Sequence, residues 1–206
     1  MNMKSNKIRL SALFMAVVMC FANYSFACTN FLITKGASKD GSTMVTYAAD
    51  SHTLYGELYY NRAAQYPEGT MIQVIDWDSG KPLIQIPQVA NTYTTVGNMN
   101  QWGLAIAETT YGGREELVDT TGGIDYGSLI YLTLQRAKNA REAIKQIAEF
   151  VDTYGYYSSG ESFSIIDENE VWIMELIGKG APVYKKKGKI DKRWTKGAVW
   201  VAMRVP

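Results

Sequence analysis

The hydrophobic and polar positions fall into three regimes. Residues 10–21 form an almost unbroken apolar run, preceded by Lys4, Lys7 and Arg9 with no acid among them. From Phe31 the pattern changes to short alternating segments separated by turn residues. Residues 31–34 and 43–48 flank Lys39-Asp40-Gly41, and Asp-Gly between two β-prone runs predicts a hairpin. Further strands are predicted at 58–60, 71–75, 93–96 and 104–109, with Pro67, Pro82 and Pro87 punctuating the middle. Asn98 and Asn100 flank Met99 in what reads as a turn between strands.

The third regime begins after the glycine pairs Gly112-Gly113 and Gly122-Gly123. Residues 126–137 are apolar around much of a helical circumference, which predicts a helix covered on more than one side. Asn139 with Glu142 three residues on has the form of a capping box. It opens a second helix with the stripe Ile144, Ile147, Ala148 and Val151, ended by Gly155. Strands return at 162–166 and 171–177, around the polar turn 167–170, and again at 198–203. Strands, two helices and strands again make an α+β protein. The chain stops just after a strand, so a further portion C-terminal to Pro206 is expected.

The first regime has the three parts of an export signal. A basic start and an apolar core are followed by Ser25-Phe26-Ala27, with small residues at −3 and −1 of a cut after Ala27. The apolar core falls short of the about 20 residues a membrane span needs, so no stable span is expected after cleavage. The expected organisation is a signal over 1–27 and one domain over 28–206, secreted, periplasmic or in the cell envelope. Bacterial lipoproteins are also cut before a cysteine, but Ser25 and Phe26 do not fit that pattern well. The chain also runs directly into a strand, where a lipoprotein would have a polar tether.

Cleavage changes the charge and the cysteine count. Of 21 basic residues 18 remain against 20 acids, which points to no nucleic-acid partner. The run Lys185-Lys186-Lys187 with Lys189 reads as a solvated loop. Cys20 departs with the signal, leaving Cys28 as the lone thiol and the first residue of the mature protein. A free thiol has a pKa of about 8.5 and needs a base to act as a nucleophile at neutral pH. A free α-amine, with a pKa of about 7.7–8.0, can serve, and Cys28 gains one only by cleavage. The rival base is His52, the one histidine. One histidine and one cysteine fall short of a metal ligand set, and no cofactor is implied.

Several motifs carry a family resemblance. They are Cys28-Thr29-Asn30-Phe31-Leu32, Ala49-Asp50-Ser51-His52 and the run from Glu108 to Gly113. Glu161-Ser162-Phe163-Ser164 and the run from Glu170 to Glu175 continue the series in order. Together they resemble the N-terminal-nucleophile cysteine dipeptidases, relatives of bile salt hydrolases and penicillin V acylases. The resemblance implies an Ntn-hydrolase-like four-layer αββα sandwich, a small peptide substrate and a chain much longer than the 179 residues left after cleavage. Cys28 matches the catalytic cysteine, and Asp50 matches an aspartate near its amine and thiol. Tyr47 stands where the related hydrolases have an arginine. Met99-Asn100-Gln101-Trp102-Gly103-Leu104 matches a run that precedes an oxyanion asparagine, whose place is taken by Thr110.

The residue set expected to carry chemistry is therefore Cys28, Asp50 and Thr110 as catalytic groups, with His52, Asn100 and Glu108 toward substrate. Each has a plainer alternative. Asp50 can cap a turn, Asn100 can belong to a turn, and Glu108 can pair with a surface cation. Trp172 and Met174 read as packing residues, and Glu161 and Glu175 have no partner visible in the sequence. Dipeptide hydrolysis, N-acyl amide or bile salt hydrolysis, and a lipid-anchored binding protein remain as function classes. A homo-oligomer is compatible with all three.

Overall fold

The computed structural model describes residues 28–50, 56–185 and 188–206. The expected signal over 1–27 and His52 lie outside the described residues.

The first hairpin forms as the Asp-Gly signal predicts, with a longer loop. Strand β1 (Leu32–Ile33) pairs antiparallel with β2 (Met44–Val45), and a bridge from Thr29 to Ala48 extends the pairing toward Cys28. The loop between them turns on Asp40, whose carboxylate accepts from the backbone N–H and hydroxyl of Ser42, with Gly41 at φ 76°. Small ladders follow. β3 (Tyr60–Asn61) pairs with β8 (Thr95–Val96), β4 (Ala64–Gln65) with β7 (Asn91–Thr92), and β5 (Met71–Ile75) with β6 (Pro82–Pro87). The proline-punctuated middle thus holds a strand not expected from the sequence. Pro82 and Pro87 sit at its two ends, where a missing backbone N–H costs least.

The framework is a seven-stranded sheet of order β13-β12-β11-β10-β9-β8-β3. Its long strands are β10 (Ala105–Gly112), β11 (Gly160–Ile166), β12 (Val171–Gly178) and β13 (Ala198–Val205), all antiparallel to their neighbours. β9 (Met99–Asn100) joins β10 through one pair, Met99 with Ala105. Helices α1 (Tyr126–Leu134) and α2 (Ala140–Tyr154) cover one face. Cross-strand partners share a face, so Ile106, Phe163, Ile165, Met174 and Leu176 point together. They form the core with Leu129, Leu132, Ile147 and Val151 of the helices.

The helices start where their caps are. Asp125 accepts from the Ser128 N–H at the head of α1, and Asn139 accepts from Glu142 N–H at the head of α2. Glu142 reaches back to the backbone N–H of Lys138, one residue before the position a capping box predicts. Gly155, at φ 82°, closes α2 with its N–H on the Val151 carbonyl.

The opposite face of the sheet carries Ala105, Ile166 and Val171, with Val205 beside Val171 on the same face, packed under Leu32 and Val45 of the hairpin. Only this end lies under the β1–β2 hairpin. The architecture is α+β with a large antiparallel sheet, one helical layer and a hairpin. Among the described residues, no helix is long and apolar enough to cross a membrane.

Candidate active site

Beyond Ala105 the outer edge of β10 has no strand beside it among the described residues, and apart from the Ile106 N–H on the Asn98 carbonyl, side chains take that place. The Asn98 amide donates to the Ile106 carbonyl at 2.8 Å, and the Asn30 amide donates to the Glu108 carbonyl at 2.9 Å. Asn30 also reaches the hydroxyls of Thr109 (3.1 Å) and Ser164 (3.2 Å). These bonds tie the segment just after Cys28 across the sheet edge. Cys28 is consequently fixed at the rim, half-buried, and contributes to a cavity of about 520 Å³. Asn30, Thr109, Tyr111, Ser162, Ser164 and Glu175 supply the polar lining of that cavity.

The thiol has a carboxylate against it. Cys28 Sγ lies 3.4 Å from Glu108 Oε1, and the Tyr47 hydroxyl donates to the same oxygen. Thr110 donates its hydroxyl to Glu161 Oε2 at 2.9 Å and stands 3.4 Å from Glu108 Oε2. Glu108 is 3% exposed and Glu161 0%. The two carboxyl groups also face each other within hydrogen-bonding reach, and burial pushes Glu161 well above the ordinary carboxylate range, with Glu108 adding to the shift. Burial likewise raises the Cys28 thiol. The Asp50 backbone N–H, which hydrogen-bonds the sulfur, pulls against this, while Glu108 and Glu161 add to the rise. Tyr47 is pushed far above its ordinary range by burial of its hydroxyl and by Glu108, so it stays a donor.

The expected residues therefore separate. Cys28, Asp50, Glu108 and Thr110 come together, and the contacts of Asp50, Glu108 and Thr110 differ from those expected. Asp50 meets the sulfur through its backbone N–H. The single Thr110 hydroxyl proton is engaged by a carboxylate, so that hydroxyl is not free to serve as an oxyanion donor. Glu108 pairs with no surface cation, because the ion pairs of the described residues have Glu116, Glu170 or Asp191 as their anion. Asn100 is not available to substrate. Its Nδ2 donates to the carbonyls of Leu134 (2.8 Å) and Ala137 (2.7 Å), and its Oδ1 accepts from Trp102 and Leu104 N–H. It ties the strand turn to the end of α1.

Three residues at the site were not among those expected to act: Asn30, Tyr47 and Glu161. For Glu161 a signal was present. In the alternation Glu161-x-Phe163-x-Ile165 the acid shares the face of two core residues, as Glu108 does with Ile106. An acid at an inward position needs a partner, and two such acids on neighbouring strands can be each other's.

A second cavity, of about 690 Å³, opens on the other side of Tyr47. Tyr59, Trp77, Tyr126, Tyr131 and Ile130 give it an apolar wall, with Asp76, Asn61 and Asn98 as polar points. Tyr47 lines it with its ring while its hydroxyl bonds Glu108. Among the described residues, no group of three or more His, Cys, Asp and Glu side chains is arranged to hold a metal ion.

A thiol thus stands on a cavity rim against a buried carboxylate and a backbone N–H, and sequence comparison places the chain in a peptidase family. The family model of Peptidase family C69 matches residues 27–206, and the chain belongs to that family. Among curated proteins it is similar to "Probable dipeptidase A" of Streptococcus pyogenes serotype M18 (strain MGAS8232). That match is 27% identical over 207 residues, covering 88% of this chain and 38% of the relative. It is also similar to "Probable dipeptidase B" of S. pyogenes serotype M1, 25% identical over 191 residues, covering 85% of this chain and 38% of the relative. The chain thus spans well under half the length of these relatives.

Proposed function

We propose that this chain carries the nucleophile of an exported cysteine dipeptidase, made active when a cut after Ala27 frees the α-amine of Cys28. The observation that carries the reading is the placement of Cys28 itself. It lies on a cavity rim with its thiol held between Glu108 and the Asp50 N–H. The family match beginning at residue 27 supports the same start for the working domain.

In this mechanism the α-amine takes the thiol proton and Sγ attacks the carbonyl carbon of the scissile amide. The ammonium then gives its proton to the leaving amine. Water, activated by the same amine, hydrolyses the thioester and restores the thiol. Asp50 contributes its N–H to the thiolate, and the cavity beside Thr109, Ser162 and Ser164 receives the peptide.

The fold reading extends in the same way. The sheet face away from the helices carries Val199, Val201 and Met203 in the open. A second sheet from the rest of a longer protein would cover that face and complete an αββα sandwich.

The test is the intact mass and N-terminal sequence of the protein recovered from the producing cell, followed by product analysis. A free Cys28 start with dipeptide hydrolysis that Cys28→Ser abolishes is the expected result. An acylated, diacylglyceryl-bearing Cys28 would overturn it, because its base would be gone. Hydrolysis of N-acyl amides with no action on dipeptides would assign the acylase activity instead.

A further inference from the structure

We propose that Glu108 and Glu161 are a one-proton carboxyl pair, with Glu161 protonated and the ionised Glu108 serving as the carboxylate partner of the Cys28 thiol–amine unit. This rests on the reading of Cys28 as the nucleophile and adds to it a catalytic residue, Glu108, and a positioning residue, Glu161.

The geometry makes two charges untenable. Both side chains are buried, they face each other, and no cation pairs with either among the described residues. Like charges in one site cannot both ionise at ordinary pH, and a buried charge needs a partner. The hydrogen bonds say which group keeps the proton. Glu108 Oε1 receives Tyr47 and Cys28, and its Oε2 stands near Thr110, so the donors converge on Glu108. Glu161 receives Thr110 at Oε2 and the backbone N–H of its neighbour Ser162, and its Oε1 is buried with no hydrogen-bond partner. A proton on that oxygen, directed at Glu108, gives both carboxyls their missing contact.

The surroundings are consistent with one negative charge. The titratable groups that face the pair are Cys28 and Tyr47 from the N-terminal segment, Tyr111 of β10, Tyr126 of α1, and Asp125 and Tyr156 in the shell behind. Burial raises both Tyr126 and Tyr156, so they stay neutral. Asp125 is engaged by the N–H groups of Trp77 and Ser128.

The role follows from where the charge sits. The cysteine nitrogen is three bonds from its own sulfur, about 3 Å away, and the sulfur is 3.4 Å from Glu108. When the α-amine takes the thiol proton, the ammonium forms beside Glu108, directly or across one water. A carboxylate there stabilises the cation and holds the donor, as a triad carboxylate does for an imidazolium. The thiol proton moves to the amine and then to the leaving amine. Glu108 stays ionised and Glu161 keeps its proton throughout.

The test uses the full chain with Cys28 freed as the producing cell frees it, in wild-type, Glu108→Gln and Glu161→Gln forms. Thiol alkylation rate is followed against pH alongside dipeptide turnover. The expected result for Glu108→Gln is an alkylation midpoint moved to lower pH, because the anion that opposes the thiolate is gone. Its kcat/KM nevertheless falls by about 100-fold. Glu161→Gln, which keeps a donor toward Glu108 but not the carboxyl proton, lowers kcat/KM by about tenfold, well short of the Glu108→Gln loss. A Glu108→Gln protein with unmoved alkylation or unchanged turnover overturns the proposal, as does a Glu161→Gln loss equal to that of Glu108→Gln.

Infrared difference spectroscopy on the wild-type protein covers the case in which a variant does not fold. A protonated carboxyl band at neutral pH that shifts when Cys28 is alkylated supports the pair, and its absence overturns it. If dipeptides are not hydrolysed, or Cys28→Ser retains turnover, the functional reading fails. The alkylation and infrared results still decide whether the pair charges the thiol.

Discussion

Buried polar side chains separate structural from chemical roles in this protein. Asn100 uses both ends of its amide on four backbone groups, so its replacement leaves buried carbonyls and N–H groups without partners. Asn100→Ala should cost about 2–3 kcal/mol and lower Tm by roughly 5–10 °C, read by calorimetry. Cys28 alkylation well below the transition should be unchanged. Glu161 behaves differently. Its folded pKa lies above the unfolded value of about 4.3, so its contribution to stability is full below that pH and is lost as pH rises. Glu161→Gln should therefore raise Tm at pH 8 and leave it nearly unchanged at pH 4; an equal effect at both would contradict a raised pKa. Cys28 could be singled out in the sequence because a lone thiol next to an expected cleavage point is itself chemical information. The roles of Asn100 and Glu108 could not, because an amide or a carboxylate reads alike whether it meets a ligand, a helix end or another acid across a sheet.

The elements show where pattern suffices and where contact overrides it. Both helices, the first hairpin and strands β5 and β10–β13 follow from periodicity and caps, since each has a burial face that repeats along the chain. β6 did not, because its prolines argue against a strand until the edges beside them are seen to be free. Gly127 in α1 gives the clearest opposition of local and tertiary preference. In an exposed helix a glycine-to-alanine change gains up to about 1 kcal/mol. Here the added Cβ would lie 2.6 Å from both Cβ and Cγ of Trp77, whose ring also meets Tyr59 edge-on at 5.7 Å. Gly127→Ala should lower the urea midpoint, by about 1–3 kcal/mol in stability. The same change in a Trp77→Ala background should be neutral or stabilising. A gain in the wild-type background would mean that Trp77 moves aside freely and does not fix the wall of the aromatic cavity.

At the scale of the whole molecule, the sheet is finished on one side only. The helix face is a continuous core, whereas the outer half of the other face offers Val199, Val201 and Met203, each about 60% exposed. These residues alternate on β13, share a face with Ile177, Glu175 and Ile173 through the register, and lie beside the cavity at Cys28. β13 is also the terminal strand of the sheet order, so among the described residues its outer backbone groups have no ladder partner. An apolar patch next to a free strand edge is a surface for association. The chain should accordingly bind a hydrophobic dye and show concentration-dependent mass in light scattering at micromolar concentrations. Val201→Glu, whose cross-strand partner is Glu175, should reduce both signals by placing two acids side by side on that face. Arg204 lies in the same strand but on the helix-facing side, paired with Glu170, so Arg204→Gln should leave them unchanged. Because Glu175 also lines the cavity, loss of association in Val201→Glu with the alkylation profile of Cys28 unaltered would assign the patch to assembly. A coupled change in both would mean that whatever covers β13 also closes over the thiol.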